Sequence, residues 1–312
     1  GKLRQVGNLT QIQGQTGPEA KTGAVGPAKF LAIMADKETL VQRWKIADLH
    51  DGENFVQLHY PVITPGNEVM RPGLKFKVSG TPLERLDFIS LMLALFFGTS
   101  ALPHILIRYY TVPSPAAARK STIVAIAAIG FFYILTLYMG LGAMINATVN
   151  PVTNNMSAPL LAKSFGTFLF AVISAIAFAT VLGTVSGLIV AASGAVAHDL
   201  LDRFAGIGMS EDTKVKAGKI SAFVVGIIAI VLGILFRGMN VSFLVGWAFA
   251  VAASANLPSI VMLLFWKKTT KEGITASIIV GIIASIGLIL VSPSMFVRYG
   301  LEAEAAPIPF SN

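Results

Sequence analysis

Six long apolar runs follow a polar stretch of about 85 residues, and that division organises the chain. The runs lie at roughly 86–107, 121–146, 166–196, 218–236, 241–266 and 273–292. Each is close to the length of about 20 residues that an α-helix needs to cross the hydrocarbon core of a bilayer. The connections are short and rich in breakers or charge, such as "NATVNPVTNNMSA" and "WKKTTKEG". Over residues 1–85 the period changes. "VQLHYPVI" (56–63) and "LKFKVS" (74–79) alternate as short strands do, and "AIMADKETLVQRWKIADLH" (32–50) spaces its apolar residues like an amphipathic helix. The pattern predicts a polar extracytoplasmic segment or loop over 1–85, a transmembrane helical domain over 86–295 and an extracytoplasmic tail over 296–312. For the first segment a partly disordered linker stays open, given its Gly and Pro content.

Composition sharpens this division. Hydrophobic residues make up 54% of the 312 positions and charged residues 13%, with a mean hydropathy of +0.71. A soluble domain carries about 25% charged residues because its surface faces water. Eleven of the 24 Lys and Arg and eight of the 16 Asp and Glu fall within residues 1–85, and no acid occurs between Asp87 and Asp199. The net charge of +8 does not point to nucleic acid, because the later basic residues sit in short loops between apolar runs. One set of alternate loops holds ten Lys and Arg, among them Arg108, Arg119, Lys120, Arg203 and Lys267. The other set holds three, Lys163, Arg237 and Arg298. The positive-inside rule then puts the first run entering from outside, with residues 1–85 and the tail outside. There is no cysteine, so disulfides, thiolate catalysis and thiolate metal sites are excluded. The N-terminal residues have no apolar core of the kind a signal peptide needs. A chain opening on Gly1 fits processing or a piece of something longer.

Chemistry is expected where the apolar runs are interrupted. The first run, "DFISLMLALFFGTSALPHILIRYY", places Gly98, Thr99, Ser100 and Pro103 together at membrane depth. Proline removes a backbone donor, and unpaired backbone in a bilayer is tolerated only where it is buried in protein or lines a cavity. A discontinuous helix of this kind suits an anion, held by freed N–H groups, whereas a plain proline kink is the bland alternative. His104 and Arg108 follow; intramembrane ionisable groups are costly, although Arg108 lies near enough to the cytoplasmic end to be an interfacial anchor. In the third run Ser174, Ala177, Thr180, Thr184, Gly187 and Ala191 recur on one face at steps of three and four. That stripe fits close helix packing, and it also offers hard oxygen ligands to a sodium ion. In the fifth run Asn256 precedes Pro258, which is expected to break the helix; Asn256 either satisfies freed backbone or lines a pathway. An intramembrane enzyme would need paired acids or a triad at depth. The acid-free stretch argues against one.

"PHILIRYYTV" followed by "AARKS", then "AFATVLGTVSGLIVAASGAVAHDLL", "VGWAFAVAASANLPSI" and "LLFWKKTTKEG", resembles in order the sodium:solute symporter family, closest to its cation/acetate (monocarboxylate) branch. The similarity covers roughly residues 86–295 and matches the C-terminal portion only. It implies an all-α membrane protein of about six transmembrane helices, the second half of a five-plus-five inverted-repeat transporter fold with a discontinuous helix. It implies no cofactor beyond a sodium ion as coupling ion, at Thr180, Gly183 and Thr184. Gly183 departs from the serine of the sugar and proline branches and so lacks one hydroxyl ligand. A small carboxylate such as acetate is expected against Gly98, Thr99, Ser100, Pro103, His104 and Asn256, with sodium-coupled symport by alternating access as the activity. The family's first broken helix has no counterpart here, so an N-terminal half or a second chain is the expected partner, beside membrane lipid; nucleic acid is not expected. The setting implied is a bacterial inner membrane, multi-pass. A sensor or accessory subunit that keeps the scaffold without transport is the alternative.

Overall fold

The computed structural model describes residues 2–51, 54–71, 76, 78, 80–150, 154–239 and 241–310. The chain divides into two compact units, residues 1–79 with 120–176 and residues 80–119 with 177–312.

The first unit begins with strands β1 (Lys2–Arg4), β2 (Leu9–Gln11) and β3 (Lys21–Ala24), then helix α1 (Pro27–Met34) and the long strands β4 (Leu40–Asp51) and β5 (Asn54–Pro65). β1 pairs with β3, and β2-β4-β5 form an antiparallel sheet whose hairpin register runs from Leu40 opposite Pro65 to Asp51 opposite Asn54. The strand expected at 56–63 lies inside β5. The one expected at 74–79 falls largely outside the described residues. The helix expected over 32–50 is corrected: α1 ends at Met34 and residues 40–51 are strand, because Val41, Trp44 and Ile46 find cross-strand partners in Thr64, Pro61 and His59. A short helix α2 (Gly66–Val69) closes the hairpin.

The core of this unit joins the polar segment to a membrane helix. Leu9, Ile12, Ile33, Met34 and Val41 pack with Leu141 and Ile145, the last turns of a helix running through 145. Gly7 touches that helix end: it has φ +56°, and a Cβ there would lie 2.7 Å from the backbone nitrogen of Ala147. No other residue type fits both demands. Ala147 itself takes φ +53° as the helix terminates, with the Thr148 N–H donating to the Ala143 carbonyl at 2.9 Å. This is the left-handed C-terminal cap usually built on glycine.

Helices α3 (Pro82–Ala101) and α4 (Pro103–Leu106) come next, the second continued by a 3₁₀ turn over Ile107–Thr111. α3 starts at Pro82 because Thr81 caps it: the Thr81 hydroxyl accepts the Glu84 N–H at 3.3 Å, and the Glu84 carboxylate accepts the Thr81 N–H at 2.8 Å. Then follow α5 (Pro115–Ile145), α6 (Ser157–Ser164) and α7 (Thr167–Gly194), the last passing into a π-helix over Ala195–Phe204. α8 (Glu211–Leu235) is capped by Ser210, and α9 (Val241–Ala255) and α10 (Leu257–Phe265) follow. α11 (Lys271–Leu290), capped by Thr270, and α12 (Pro293–Arg298) complete the helices.

Among the described residues five spans are long and apolar enough to cross a membrane: α5, α7 with the π-helix, α8, α9 with α10, and α11. The bent pair α3 and α4 makes a sixth. These helices expose Phe131, Phe178, Phe223 and Ile283 on their outer surfaces, the arrangement of a helix apolar all round that meets lipid. α6 and the π-helix carry no distinct signal in the apolar pattern and were not expected from it.

In the second unit α9 lies between α3 and α11, and both approaches use glycine. A Cβ on Gly98 would stand 2.7 Å from Phe249 Cβ, and one on Gly281 would stand 2.8 Å from Ala255 Cα. Backbone therefore meets backbone at both crossings, the close packing that small residues permit in membranes. Gly98→Val or Gly281→Val should each destabilise the protein by about 1–3 kcal/mol through overpacking. Thermal unfolding in detergent checks this, with Gly130→Val as the control, since open space surrounds Gly130.

Candidate functional site

The interruption of the first span lies at Leu102, one residue before Pro103. Leu102 takes φ −71° and ψ 119°, and the span bends by 40° there. The cause is local: the ring of Pro103 drives the preceding residue out of the helical region. Gly98, Thr99 and Ser100 stay helical within α3. Gly98 serves the contact with α9. The Thr99 hydroxyl donates to the Leu95 carbonyl at 2.6 Å and the Ser100 hydroxyl to the Phe97 carbonyl at 2.7 Å.

Breaking the helix strands a carbonyl. In a continuous helix the Ala101 carbonyl would take the Ile105 N–H, which instead donates to Leu102 at 3.0 Å. The Asn256 side chain replaces it, donating through Nδ2 to the Ala101 carbonyl at 3.0 Å from 155 positions away. Ala101 is fully buried, so water is no substitute. Asn256 also lines the adjacent cavity. The expected break at Pro258 is slight. The Asn256 N–H donates to Ala252 at 3.0 Å and the Ile260 N–H to Asn256 at 2.9 Å, so α9 and α10 run as one span interrupted at a single residue.

A cavity of about 1140 Å³ opens beside the bend. Its wall brings together Pro103, His104, Thr184 and Asn256, four of the expected site residues, from three spans. Gly98, Thr99, Ser100, Thr180 and Gly183 are not among its lining residues. On α7 the Thr184 hydroxyl donates to the Thr180 carbonyl at 3.0 Å. That bond spends the hydroxyl proton and leaves the oxygen lone pairs for a cation, while the Thr180 carbonyl already takes two donors, this hydroxyl and the helical N–H. Gly183 has open space within 4 Å of where a Cβ would stand.

The wall also holds residues that pattern reading did not select. Ser259, one turn beyond Asn256, is 4% exposed, and its hydroxyl has no hydrogen-bond partner among the described residues. The π-helix contributes His198, Asp199 and Arg203, and the 3₁₀ turn contributes Arg108. The available signal for these was charge at the end of a long apolar run. Among the described residues no three His, Cys, Asp or Glu side chains gather as a metal site.

A family model described as "Sodium:solute symporter family" matches residues 49–281, a span that contains every candidate residue named above and begins well before residue 86. The chain is 47% identical over 235 residues to a protein of Corynebacterium glutamicum named "Monocarboxylic acid transporter", an alignment covering 73% of this chain and 42% of that protein. It is 44% identical over 238 residues to the "Uncharacterized symporter YwcA" of Bacillus subtilis, covering 74% of this chain and 45% of that protein. The chain thus spans less than half the length of these curated relatives. No solved structure shows significant similarity to it.

Asn256→Ala should cost about 1–3 kcal/mol, because the Ala101 carbonyl is then buried without a donor. Asn256→Asp should cost more, since it turns a second acceptor toward that carbonyl. Thermal unfolding of the two variants against wild type checks the order; an unchanged midpoint in both would show that the bend needs no cross-span donor.

Proposed function

We propose that this chain, which belongs to the sodium:solute symporter family, forms part of a secondary transporter that carries a small monocarboxylate such as acetate together with a sodium ion. The whole protein is a multi-pass bacterial inner-membrane protein, with residues 1–85 on the outside. The observation that carries the reading is the bend at Leu102 with its stranded Ala101 carbonyl, set beside a cavity lined by Pro103, His104, Thr184 and Asn256. Irregular backbone at membrane depth is kept where it is buried in protein or lines a cavity, and discontinuous helices beside a cavity recur at transporter binding sites. The name of the Corynebacterium relative supports the substrate class, and the family description supports the ion.

In this mechanism the sodium ion takes the Thr184 hydroxyl oxygen and backbone oxygens at Thr180 and Gly183. The Thr180 carbonyl has to give up its bond from Thr184 to contribute fully. The carboxylate sits at the break over Gly98–Pro103, facing His104 and Asn256. Each ligand favours the same arrangement of the spans over its alternative, and that shared preference is the coupling. A further broken helix, from the rest of a longer protein or from a second chain, supplies the remaining ligands. No covalent step is involved, and no cofactor beyond the coupling ion is needed.

The test is sodium-dependent acetate uptake by the complete protein in vesicles. Thr184→Ala removes a hydroxyl ligand worth about 1–2 kcal/mol and should raise the half-saturating sodium concentration roughly tenfold. Gly183→Ser adds a hydroxyl where space is open and should lower it. An unaltered sodium response in both variants would remove the cation site from α7. Acetate binding without flux in the wild type would mark a sensor that retains the scaffold.

A further inference from the structure

The cavity beside the bend is walled mainly by aliphatic side chains, among them Leu188, Ile260 and Leu263. Its charged and titratable lining groups come from two short stretches, both irregular helix. His104 and Arg108 lie on the segment 103–111, and His198, Asp199 and Arg203 lie on the π-helix. The π-helix is drawn out by i→i+5 bonding that continues to its end, where the Ala205 N–H donates to Leu200 at 2.9 Å. Such departures from α-helix recur at functional sites.

The pairing of these charges is uneven. Asp202, the neighbour of Arg203, is turned to other partners: its carboxylate lies 2.9 Å from the Lys214 ammonium and accepts the Met209 N–H at 2.9 Å. Lys214 also lies 3.0 Å from Glu211. Asp202 and Glu211 are thus taken up by Lys214 of α8. Among the described residues neither Arg108 nor Arg203 has a carboxylate within ion-pair distance. The cavity lining then holds two guanidinium groups against the single carboxylate of Asp199, a formal balance of 2 − 1 = +1 with histidines neutral. Both arginines belong to the loops that the positive-inside count puts in the cytoplasm.

We infer that Arg108 and Arg203 form an anion-recruiting pair at the cytoplasmic mouth of this cavity, which draws a monocarboxylate in and out on that side and discriminates against uncharged analogues. The inference rests on the proposed carboxylate transport and adds two specificity-determining residues to it. The physical basis is field focusing. A cleft with low-dielectric walls and an excess of one sign of charge raises the local concentration of the opposite ion and its association rate, by about 10- to 1000-fold where the lining is of one sign. Asp199 offsets one of the two arginines here, which puts the effect at the low end, and salt screens it. A monoanion at the break region, where Pro103, His104 and Asn256 line the wall, shares its cavity with both guanidinium groups. An anionic lipid headgroup offers the same chemistry to an arginine at the interface. Lipid composition separates the two sources.

The experiment measures acetate transport by the complete protein in inside-out and right-side-out membrane vesicles, for wild type, Arg108→Gln, Arg203→Gln and the double variant. In inside-out vesicles the KM for acetate should rise roughly tenfold in the double variant, while right-side-out vesicles show a change of less than about twofold. Raising ionic strength should raise the wild-type cytoplasmic KM and leave that of the double variant flat. Arg108→Lys with Arg203→Lys should restore most of the affinity, because point charge is what steers. The same rise must appear in proteoliposomes of phosphatidylcholine alone. An equal rise in both orientations, lysine variants as impaired as the glutamine ones, or an effect confined to liposomes containing phosphatidylglycerol would overturn the inference. Wild-type vesicles that carry no acetate in either orientation would instead overturn the proposed function, and this inference with it.

Discussion

A single carbonyl, that of Ala101, ties the parts of the second unit together. Pro103 forces Leu102 into extended geometry, and the bend that follows leaves this buried acceptor without its helical donor. In a membrane, backbone that loses its partner must find another within the protein. Asn256 provides it from a distant span. That bond requires α9 to lie close against α3, which explains why Gly98 has no room for a side chain where it faces Phe249. Gly281 plays the same part on the other side, letting α11 approach Ser254 and Ala255. The bend, the amide and the two glycines are one arrangement.

The same arrangement creates the cavity. A straight helix over 82–111 would keep its polar backbone to itself and would carry its apolar side chains past α9. Bending by 40° at Leu102 instead brings Pro103 and His104 to a wall they share with Thr184 on α7 and Asn256. The hydroxyl of Thr184 donates into its own helix and so turns its lone pairs outward. Thr184 and Asn256 thus reach the cavity wall with a side-chain donor already spent on backbone. Arg108 and Arg203 stand on the same wall.

Much of this was legible in the order of residues. The spans were readable because lipid demands about 20 apolar residues at a time. The break was readable because Pro103 cannot continue a helix. What lay beyond reach was anything settled by distant partners. Gly98 was grouped with the interruption at Pro103, yet it stays helical and faces Phe249 of α9. The stretch 32–50 was expected to be helical, yet pairing with β5 makes residues 40–51 strand, since cross-strand partners outweigh a weak local period. Asn256 had two readings, and the backbone one depends on Ala101, 155 residues earlier. Ser259 carried no local signal and Arg203 only its charge beyond an apolar run, because their place in the cavity wall depends on the path of α10 and on the π-helix.

The most direct test of this account is a cryo-EM map of the complete protein with acetate and sodium bound. The expected map shows a bend at Leu102, the Asn256 amide on the Ala101 carbonyl, and carboxylate density beside Pro103 and His104. A straight, lipid-facing helix through residues 82–111, or acetate density away from that bend, would contradict it.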